Sequence, residues 1–591
     1  MSDHFKGTVL NHPAGLFTLF FTEMWERFSY YGMRAILVLF LTRSLMEGGW
    51  AWERSEALYL YALYTGFVYF TPLFGGMLAD KILGYRKAII IGAFTMAAGH
   101  MFMAFETPMF FYLGLTALII GNGLFKPNIS SIVGQLYDDE DKKDAAYTIF
   151  YMGINAGAFL GILLCGYIGE KIGWSYGFGL AMIFMIAGAV QFWMSGRIFG
   201  SIGLAPTDDG VADTGVADSI DTSVDSQVGK RMGIATGLFI GVALLIHLLY
   251  RFFLPDLLSY DTVLSATSTV IMPPLLLGSF VSIIYFLMSD PSLLKQEFDR
   301  MWAIVIFTFA IIFFWWAFEQ AGGSMSIFAA DYTDRTLEGG QAATFNLFNT
   351  LLTVIPMIVL TWVLLKLNSV SSHLTGMANK VLLASFAFVW IIVFFMLAFE
   401  WGFFLDFAES IGVNIDPNKT EVQASWFAIL NSFFIITFAP LFSKFWDLKI
   451  ITSGPVKFAI GLALLALGFG FLAWGSASIP QGAKAASVSM VWLILAYLFH
   501  TLGELCISPV GLSYVSKLAP VRLIGVMFGV FFMANFIANF AGGLTGSFID
   551  TIVENNSMSA FFLIFTIVPL AMAGVLLLLK GFMKKIMHGI D

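Results

Sequence analysis

Glu23-Met24-Trp25-Glu26-Arg27-Phe28-Ser29-Tyr30-Tyr31-Gly32-Met33-Arg34 puts two glutamates and two arginines inside a segment otherwise as apolar as Leu16-Phe17-Thr18-Leu19-Phe20-Phe21. A charged side chain at mid-bilayer costs roughly 3 kcal/mol or more on insertion scales, so several together must face one another or a watery cavity rather than lipid. At about 100° per residue, Glu23, Glu26, Arg27, Tyr30, Tyr31 and Arg34 fall within an arc of roughly 140°, a single polar stripe on one helix face.

The rest of the chain reads as membrane protein. Hydrophobic residues are 58% of 591 and charged residues only 12%, a composition outside the range of soluble globular proteins. A helix needs about 20 apolar residues to cross the hydrocarbon. Sixteen such stretches recur with short polar gaps between them, so the fold class is an all-α polytopic membrane protein. The first stretch is too long and too charged for a cleaved secretory signal and is read as a retained helix. Lysine and arginine collect in loops that stay in the cytoplasm. With a cytoplasmic N-terminus, Lys81, Arg86, Lys87, Lys142, Lys143, Lys444, Lys517, Arg522, Lys584 and Lys585 fall inside, whereas the outer set is only Arg43, Arg54, Lys171, Arg251, Arg335, Lys419 and Lys484. An even number of spans then leaves both termini cytoplasmic.

The net charge of −8 owes much to the run Asp208, Asp209, Asp213, Asp218, Asp221 and Asp225, whose Gly, Ser, Thr and Asp content is too polar to fold alone and reads as a cytoplasmic linker. Cys165 and Cys506 lie in different apolar segments with no motif spacing. No histidine and carboxylate set has metal-ligand spacing, and no glycine loop for a nucleotide follows a strand. No metal, cofactor or nucleic-acid partner is therefore expected. A membrane-embedded redox enzyme would need ligand histidines that this sequence does not place together.

Three more ionisable groups lie where lipid would not ask for them. Lys126, in Gly121-Asn122-Gly123-Leu124-Phe125-Lys126-Pro127-Asn128, either snorkels to the headgroups or is a cation held in a cavity against Glu23 or Glu26. Glu319, in Trp315-Trp316-Ala317-Phe318-Glu319-Gln320-Ala321-Gly322-Gly323, is either a proton carrier or a neutral acid with a structural hydrogen bond, beside small residues that permit a break. Glu504 follows His500 by four residues, so the histidine is either a hydrogen-bonding partner on the same face or, as a lone histidine in an apolar helix more often is, a packing residue. Cations on early helices and carboxylates on late ones suit a dipolar ligand, with Tyr30, Tyr31, Tyr69, Asn155 and Asn431 offering neutral hydrogen bonds along it.

Glu23-x-x-Glu26-Arg27-Phe28-x-Tyr30-Tyr31 resembles the first-helix signature of the proton-dependent oligopeptide transporter family within the major facilitator superfamily. Gly75-Gly76-Met77-Leu78-Ala79-Asp80-Lys81-Ile82-Leu83-Gly84-Tyr85-Arg86-Lys87 and Phe150-Tyr151-Met152-Gly153-Ile154-Asn155-Ala156-Gly157 resemble two further signatures, and the surroundings of Glu319 and Glu504 resemble others. The resemblance implies two six-helix bundles with substrate bound near the midplane, plus about four additional helices. Mapped on this chain, 14–199 would be the first bundle, 200–232 the acidic linker and 233–288 two accessory helices. The second bundle would begin at 301–329, be interrupted by an inserted pair at 343–404, and finish over 422–583. Both inserted pairs are expected to pack outside the core.

The resemblance also implies roles. Glu23, Glu26, Arg27, Lys126 and Glu319 would couple protons, the coupling ion. Arg34 and Lys126 would hold a peptide carboxylate, Glu504 its ammonium, and Tyr31, Tyr69, Asn155 and Asn431 would line the pocket, with Glu319 meeting Arg34 in some states. The substrates would be di- and tripeptides, imported across a bacterial inner membrane by a chain acting as a monomer in the lipid bilayer. Two departures matter: Ala62 stands where some members have histidine, and Phe531 where tryptophan is frequent. A relative carrying nitrate or another small anion would lack the carboxylate that receives an amine, and Glu504 is retained.

Overall fold

The computed structural model describes residues 4–137, 139–205, 225–253, 255–258, 260–413, 415–416, 419–448 and 452–590. The aspartates from Asp208 to Asp221 lie outside the described residues. Residues 200–205, read from sequence as the start of the linker, are instead packed: Ile202 is buried, and Gly200 and Gly203 accept hydrogen bonds from the Arg86 side chain and backbone. At the other end of that linker the helix begins at Asp225, well before residue 233.

The first bundle comprises α1 (Ala14–Thr42), α2 (Arg54–Leu78, prolonged by a wider turn over Ala79–Leu83), α3 (Tyr85–Met103), α4 (Pro108–Gln135), α5 (Glu140–Lys171) and α6 (Trp174–Met194). Then come α7 (Asp225–Phe253), α8 (Val263–Met288) and α9 (Lys295–Asp331). A single stretch of 61 helical residues, Gly340–Glu400, follows. At 1.5 Å per residue it would reach about 90 Å, some three hydrocarbon thicknesses, were it straight. It is not straight. Thr375 leaves helical geometry (φ −124°, ψ 29°), and hydrogen bonds join residues roughly equidistant from it: Asn379 Nδ2 to Ser371 Oγ at 3.0 Å, Trp390 Nε1 to Thr361 Oγ1 at 3.0 Å, and Asn346 Nδ2 to the Glu400 carbonyl at 2.7 Å. The stretch is an antiparallel hairpin, α10 over 340–374 and α11 over 376–400. The last five helices are α12 (Ala424–Trp446), α13 (Gly454–Gly475), α14 (Val491–Leu518), α15 (Ile524–Gly546) and α16 (Met558–Ile586).

Packing partners reveal two equivalent halves. In the first, α1 packs on α5 and α6, α3 on α4 and α6, and α2 on α4. In the second, α9 packs on α15 and α16, α13 on α14 and α16, and α12 on α14. Two further pairs, α2 with α15 and α5 with α12, join the halves and are exchanged by the same correspondence. This is the major facilitator arrangement of two six-helix bundles. The extra pairs sit in different places. α7 and α8 pack on each other and reach α15 and α2, with almost none of α7 fully buried. The hairpin leaves and re-enters the chain within the second bundle yet packs on α6 and α1 of the first: the Phe386 ring lies 5.6 Å from Phe21 and 5.3 Å from Trp25.

The fifth-helix signature is explained by how α5 approaches α1. Gly153, Gly157 and Gly161 recur every fourth residue on one face, and a Cβ at each would overlap Phe20, the Met24 carbonyl and the Phe28 backbone in turn. Small residues at this spacing let two membrane helices touch backbone to backbone. Gly157→Ala is therefore expected to destabilise the protein by about 1–3 kcal/mol through overpacking. Gly179→Ala on α6, where an added Cβ meets nothing within 4 Å, should leave stability unchanged or slightly raised. Thermal unfolding of the two variants in one detergent compares them directly, and equal melting temperatures would contradict the proposed contact.

Candidate functional site

The polar stripe of α1 divides into two networks. Arg27 Nε lies 2.7 Å from Glu23 Oε1 and 2.8 Å from Glu26 Oε2, and all three side chains are almost without solvent exposure. The first of these contacts spans four residues of one helix, so α1 alone can assemble the cluster. The Arg27 guanidinium also stacks over Tyr30, whose ring meets Tyr31 edge-on at 5.1 Å.

Lys126 lies within electrostatic range of both glutamates but does not pair with them. Among the described residues it ion-pairs with neither glutamate; its ammonium lies over the Tyr69 ring, 4.6 Å from the centroid. Because Arg27 reaches both carboxylates from their own helix, the expected opposition of Lys126 to Glu23 or Glu26 is replaced by a cation–π contact with α2.

Arg34 forms the second network and crosses between bundles. Its guanidinium pairs with Glu319, and its Nε and Nη2 both donate to Tyr61 Oη, at 2.9 and 2.6 Å. Glu319 is presented by a local break. α9 is regular to Phe318, tightens into a 3₁₀ turn over Glu319–Gly322, and resumes at Ser324. Gln320 fixes that turn, donating to the Gly542 carbonyl at 2.7 Å and accepting from Ser324 at 2.6 Å. At Gly322 a side chain would collide with the Tyr61 hydroxyl, so the glycine lets α2 close on the pair. Nothing in the sequence singles out Tyr61 from the other tyrosines of α2, and the family resemblance bears on its neighbour Ala62 instead.

On the second bundle, Asn431 Nδ2 donates to Glu504 Oε2 at 2.9 Å and lies 3.1 Å from Thr501 Oγ1. A neutral amide thus holds a buried carboxylate whose charge no described cation balances within ion-pairing distance. His500 is not its partner: the imidazole is buried against Phe469, with centroids 4.3 Å apart, in room left by Gly468 on α13. Asn155 is buried on α5 and donates to the Tyr151 carbonyl at 3.0 Å. Lys126, Tyr69, Tyr31 and Asn155 therefore belong to one bundle, and Glu319, Asn431 and Glu504 to the other.

Further ion pairs close the end of the molecule at which α1 finishes and α2 begins. Arg54 donates to Asp331 at 2.7 Å, Asp550 at 2.8 Å, the Tyr332 hydroxyl at 3.0 Å and the Lys484 carbonyl at 2.8 Å, while Arg43 adds a longer pair with Asp331. Lys171 at the end of α5 donates to Glu421 at 2.9 Å, and Arg335 contacts the same carboxylate at 3.1 Å. Burial raises the Glu421 pKa, but the hydrogen bond and charge of Lys171, with Arg335, outweigh it and hold the group below the usual carboxylate range.

Two bundles facing each other across buried charges, joined at one end by ion pairs, have the build of a membrane transporter. A sequence profile of the POT family matches residues 86–216 and 377–561. The uncharacterized transporter YclF of Bacillus subtilis (strain 168) is 30% identical over 586 residues, covering 98% of this chain and 96% of its own. The peptide transporter YePEPT of Yersinia enterocolitica subsp. palearctica serotype O:3 (strain YE-P4) is 29% identical over 526 residues, covering 88% and 84%. A crystal structure of the peptide transporter POT in complex with sulfate superposes with a TM-score of 0.69 at 27% identity, covering 98% of this chain and 96% of that one. The chain belongs to the POT family; it is a transporter and not an enzyme.

The two sides of the Arg34 network should respond differently to substitution. Glu319→Gln strands a buried guanidinium and is expected to cost about 3–5 kcal/mol. Tyr61→Phe removes one neutral acceptor and should cost about 1 kcal/mol. Unfolding temperatures that rank the two in the opposite order would refute the pairing of Arg34 with Glu319.

Proposed function

We propose that this chain imports di- and tripeptides across a bacterial inner membrane as a proton-coupled symporter, working as a monomer without a cofactor. The observation that carries the reading is the direct ion pair between Arg34 of one bundle and Glu319 of the other. With both ionised, the pair clamps the bundles together. A proton on Glu319 removes the attraction, releases Arg34 toward the site and lets this end separate. If both termini are cytoplasmic, the closed end is the outer one and the chain stands inward-facing.

The peptide's charges have waiting partners. Lys126 is held by an aromatic face and makes no ion pair among the described residues, so its ammonium suits the peptide carboxylate together with Arg34. Glu504 is held by a neutral amide and suits the ammonium. Tyr31, Tyr69, Asn155 and Asn431 provide hydrogen bonds between these poles, whose spacing limits the backbone length accepted. Glu23 and Glu26 share Arg27 on the same helix, so protonation of either releases part of its grip. The cluster thereby links proton load to the disposition of α1. That relatives such as YePEPT are named peptide transporters agrees with this assignment.

Proteoliposomes given an inward proton gradient should accumulate a labelled dipeptide, and absence of uptake by correctly folded protein would overturn the transport reading. Glu26→Gln should abolish concentrative uptake while counterflow exchange persists; full concentrative uptake would remove the residue from coupling. Glu504→Gln should weaken peptides with a free amino terminus about tenfold to a hundredfold, as loss of a charge-assisted hydrogen bond requires. Peptides with blocked amino termini should be little affected, and equal loss for both would reject its role.

A further inference from the structure

Glu170 occupies the wrong end of its own helix. It lies in the last turn of α5, where unpaired carbonyls and the negative pole of the helix dipole oppose a carboxylate, and where the neighbouring Lys171 is the residue that local electrostatics favour. A residue that contradicts its local setting is expected to be compensated from elsewhere. The compensation comes from the other bundle. Glu170 Oε2 accepts from the Ala424 backbone N–H at 3.0 Å, while its Oε1 accepts from the Ser425 N–H at 2.9 Å and the Ser425 hydroxyl at 2.5 Å.

These are the first amides of α12, which opens with a 3₁₀ turn over Ala424–Ala428 and receives no side-chain hydrogen bond from its own N-cap residue, Gln423. The opening amides of a helix lack intrahelical acceptors and form its positive pole. One carboxylate on the first bundle therefore caps a helix of the second. Next to it, Lys171 binds Glu421 on the short ladder of Thr336–Glu338 with Lys419–Glu421, and Trp426 Nε1 donates to the Leu163 carbonyl of α5 at 3.0 Å.

We infer that Glu170 is a positioning residue of the outer gate: it latches α5 to the start of α12 when that end is closed, and loses its compensation when the bundles part. It acts on the opposite interface from Arg54, which joins α2 to the second bundle, so the outer end is held at both symmetry-related seams. In the separated state Glu170 faces only its own helix's negative end and the α12 amides fall to water. This contact therefore biases the protein toward the inward-facing state without touching the peptide. The inference rests on the alternating-access reading above but not on the identity of the cargo.

Spin labels at the exposed positions Met46 and Asn555, one on each bundle at the closed end, report the separation in a Cys165→Ala, Cys506→Ala background. Glu170→Ala should raise the long-distance population at least threefold. Adding Gln423→Asp supplies an N-cap from α12 itself. If Glu170 is a latch, this second change restores the melting temperature but leaves the long-distance population raised. An unchanged distance distribution in Glu170→Ala would overturn the inference. So would recovery of both melting temperature and distances in the double variant, which would make Glu170 a cap for helix stability alone. The distances are read with no substrate present, so a chain that carried something other than peptides would return the same answer.

Discussion

A helix that takes Glu23, Glu26, Arg27 and Arg34 through a bilayer has to be sheathed in protein on every side, and the architecture is arranged around that requirement. α1 is buried almost from end to end. Its polar stripe faces the space between the bundles. The flank toward α5 is closed by backbone contact across Gly153, Gly157 and Gly161. Phe21 and Trp25 project from the side opposite the stripe, where the hairpin's Phe386 covers them and Phe184 of α6 stacks on Trp25 at 4.6 Å. Lipid has no route to the charges, so their desolvation is offset by partners rather than avoided by snorkelling.

Sheathing also separates two kinds of network along one helix. The Glu23–Arg27–Glu26 cluster is internal to α1 and travels with it whatever the bundles do. The Arg34–Glu319 pair spans the bundles and cannot survive their separation. A proton placed on either network thus has a different consequence: in the first it changes charge within a moving body, and in the second it removes an attraction between bodies. The proposed coupling of a proton gradient to a rocking motion would draw on both, and the two networks lie on the same helix face.

Much of this was legible beforehand, for physical reasons. Burial of charge in an apolar run is so costly that the stripe of α1, Glu319 and Glu504 declared themselves, and Arg34 with Glu319 met as the resemblance implied. Partner choice was less legible. Opposite charge alone matches Lys126 to the glutamates, but Arg27 reaches them from their own helix, and the lysine rests on an aromatic face instead. Helical spacing alone leaves His500 either a partner of Glu504 or a packing residue; it packs, because Gly468 on another helix makes room for the imidazole. Of the seven basic residues in the outer set, five, Arg43, Arg54, Lys171, Arg335 and Lys419, each hold an acid at the closed end. Their acidic partners lie far away in sequence or in loops that periodicity does not address.

The hairpin sharpens what a rocking motion must do here. Its roots belong to the second bundle and are fastened there by directional bonds: the ladder of Thr336–Glu338 with Lys419–Glu421, and Thr420 donating to Asn346 at 3.1 Å. Its body rests on the first bundle through aromatic and aliphatic contacts, Phe386 on Phe21 and Trp25 and Phe388 on Phe184. Dispersion contacts are individually weak and non-directional, so they can slide by a ring's width at small cost, while parting the ladder breaks several directional hydrogen bonds at once. Relative motion of the bundles is therefore accommodated along the face of α1 and α6 rather than at the roots. A segment inserted in one bundle can seal the back of the charged helix in the other and still leave the two bundles free to shift against each other.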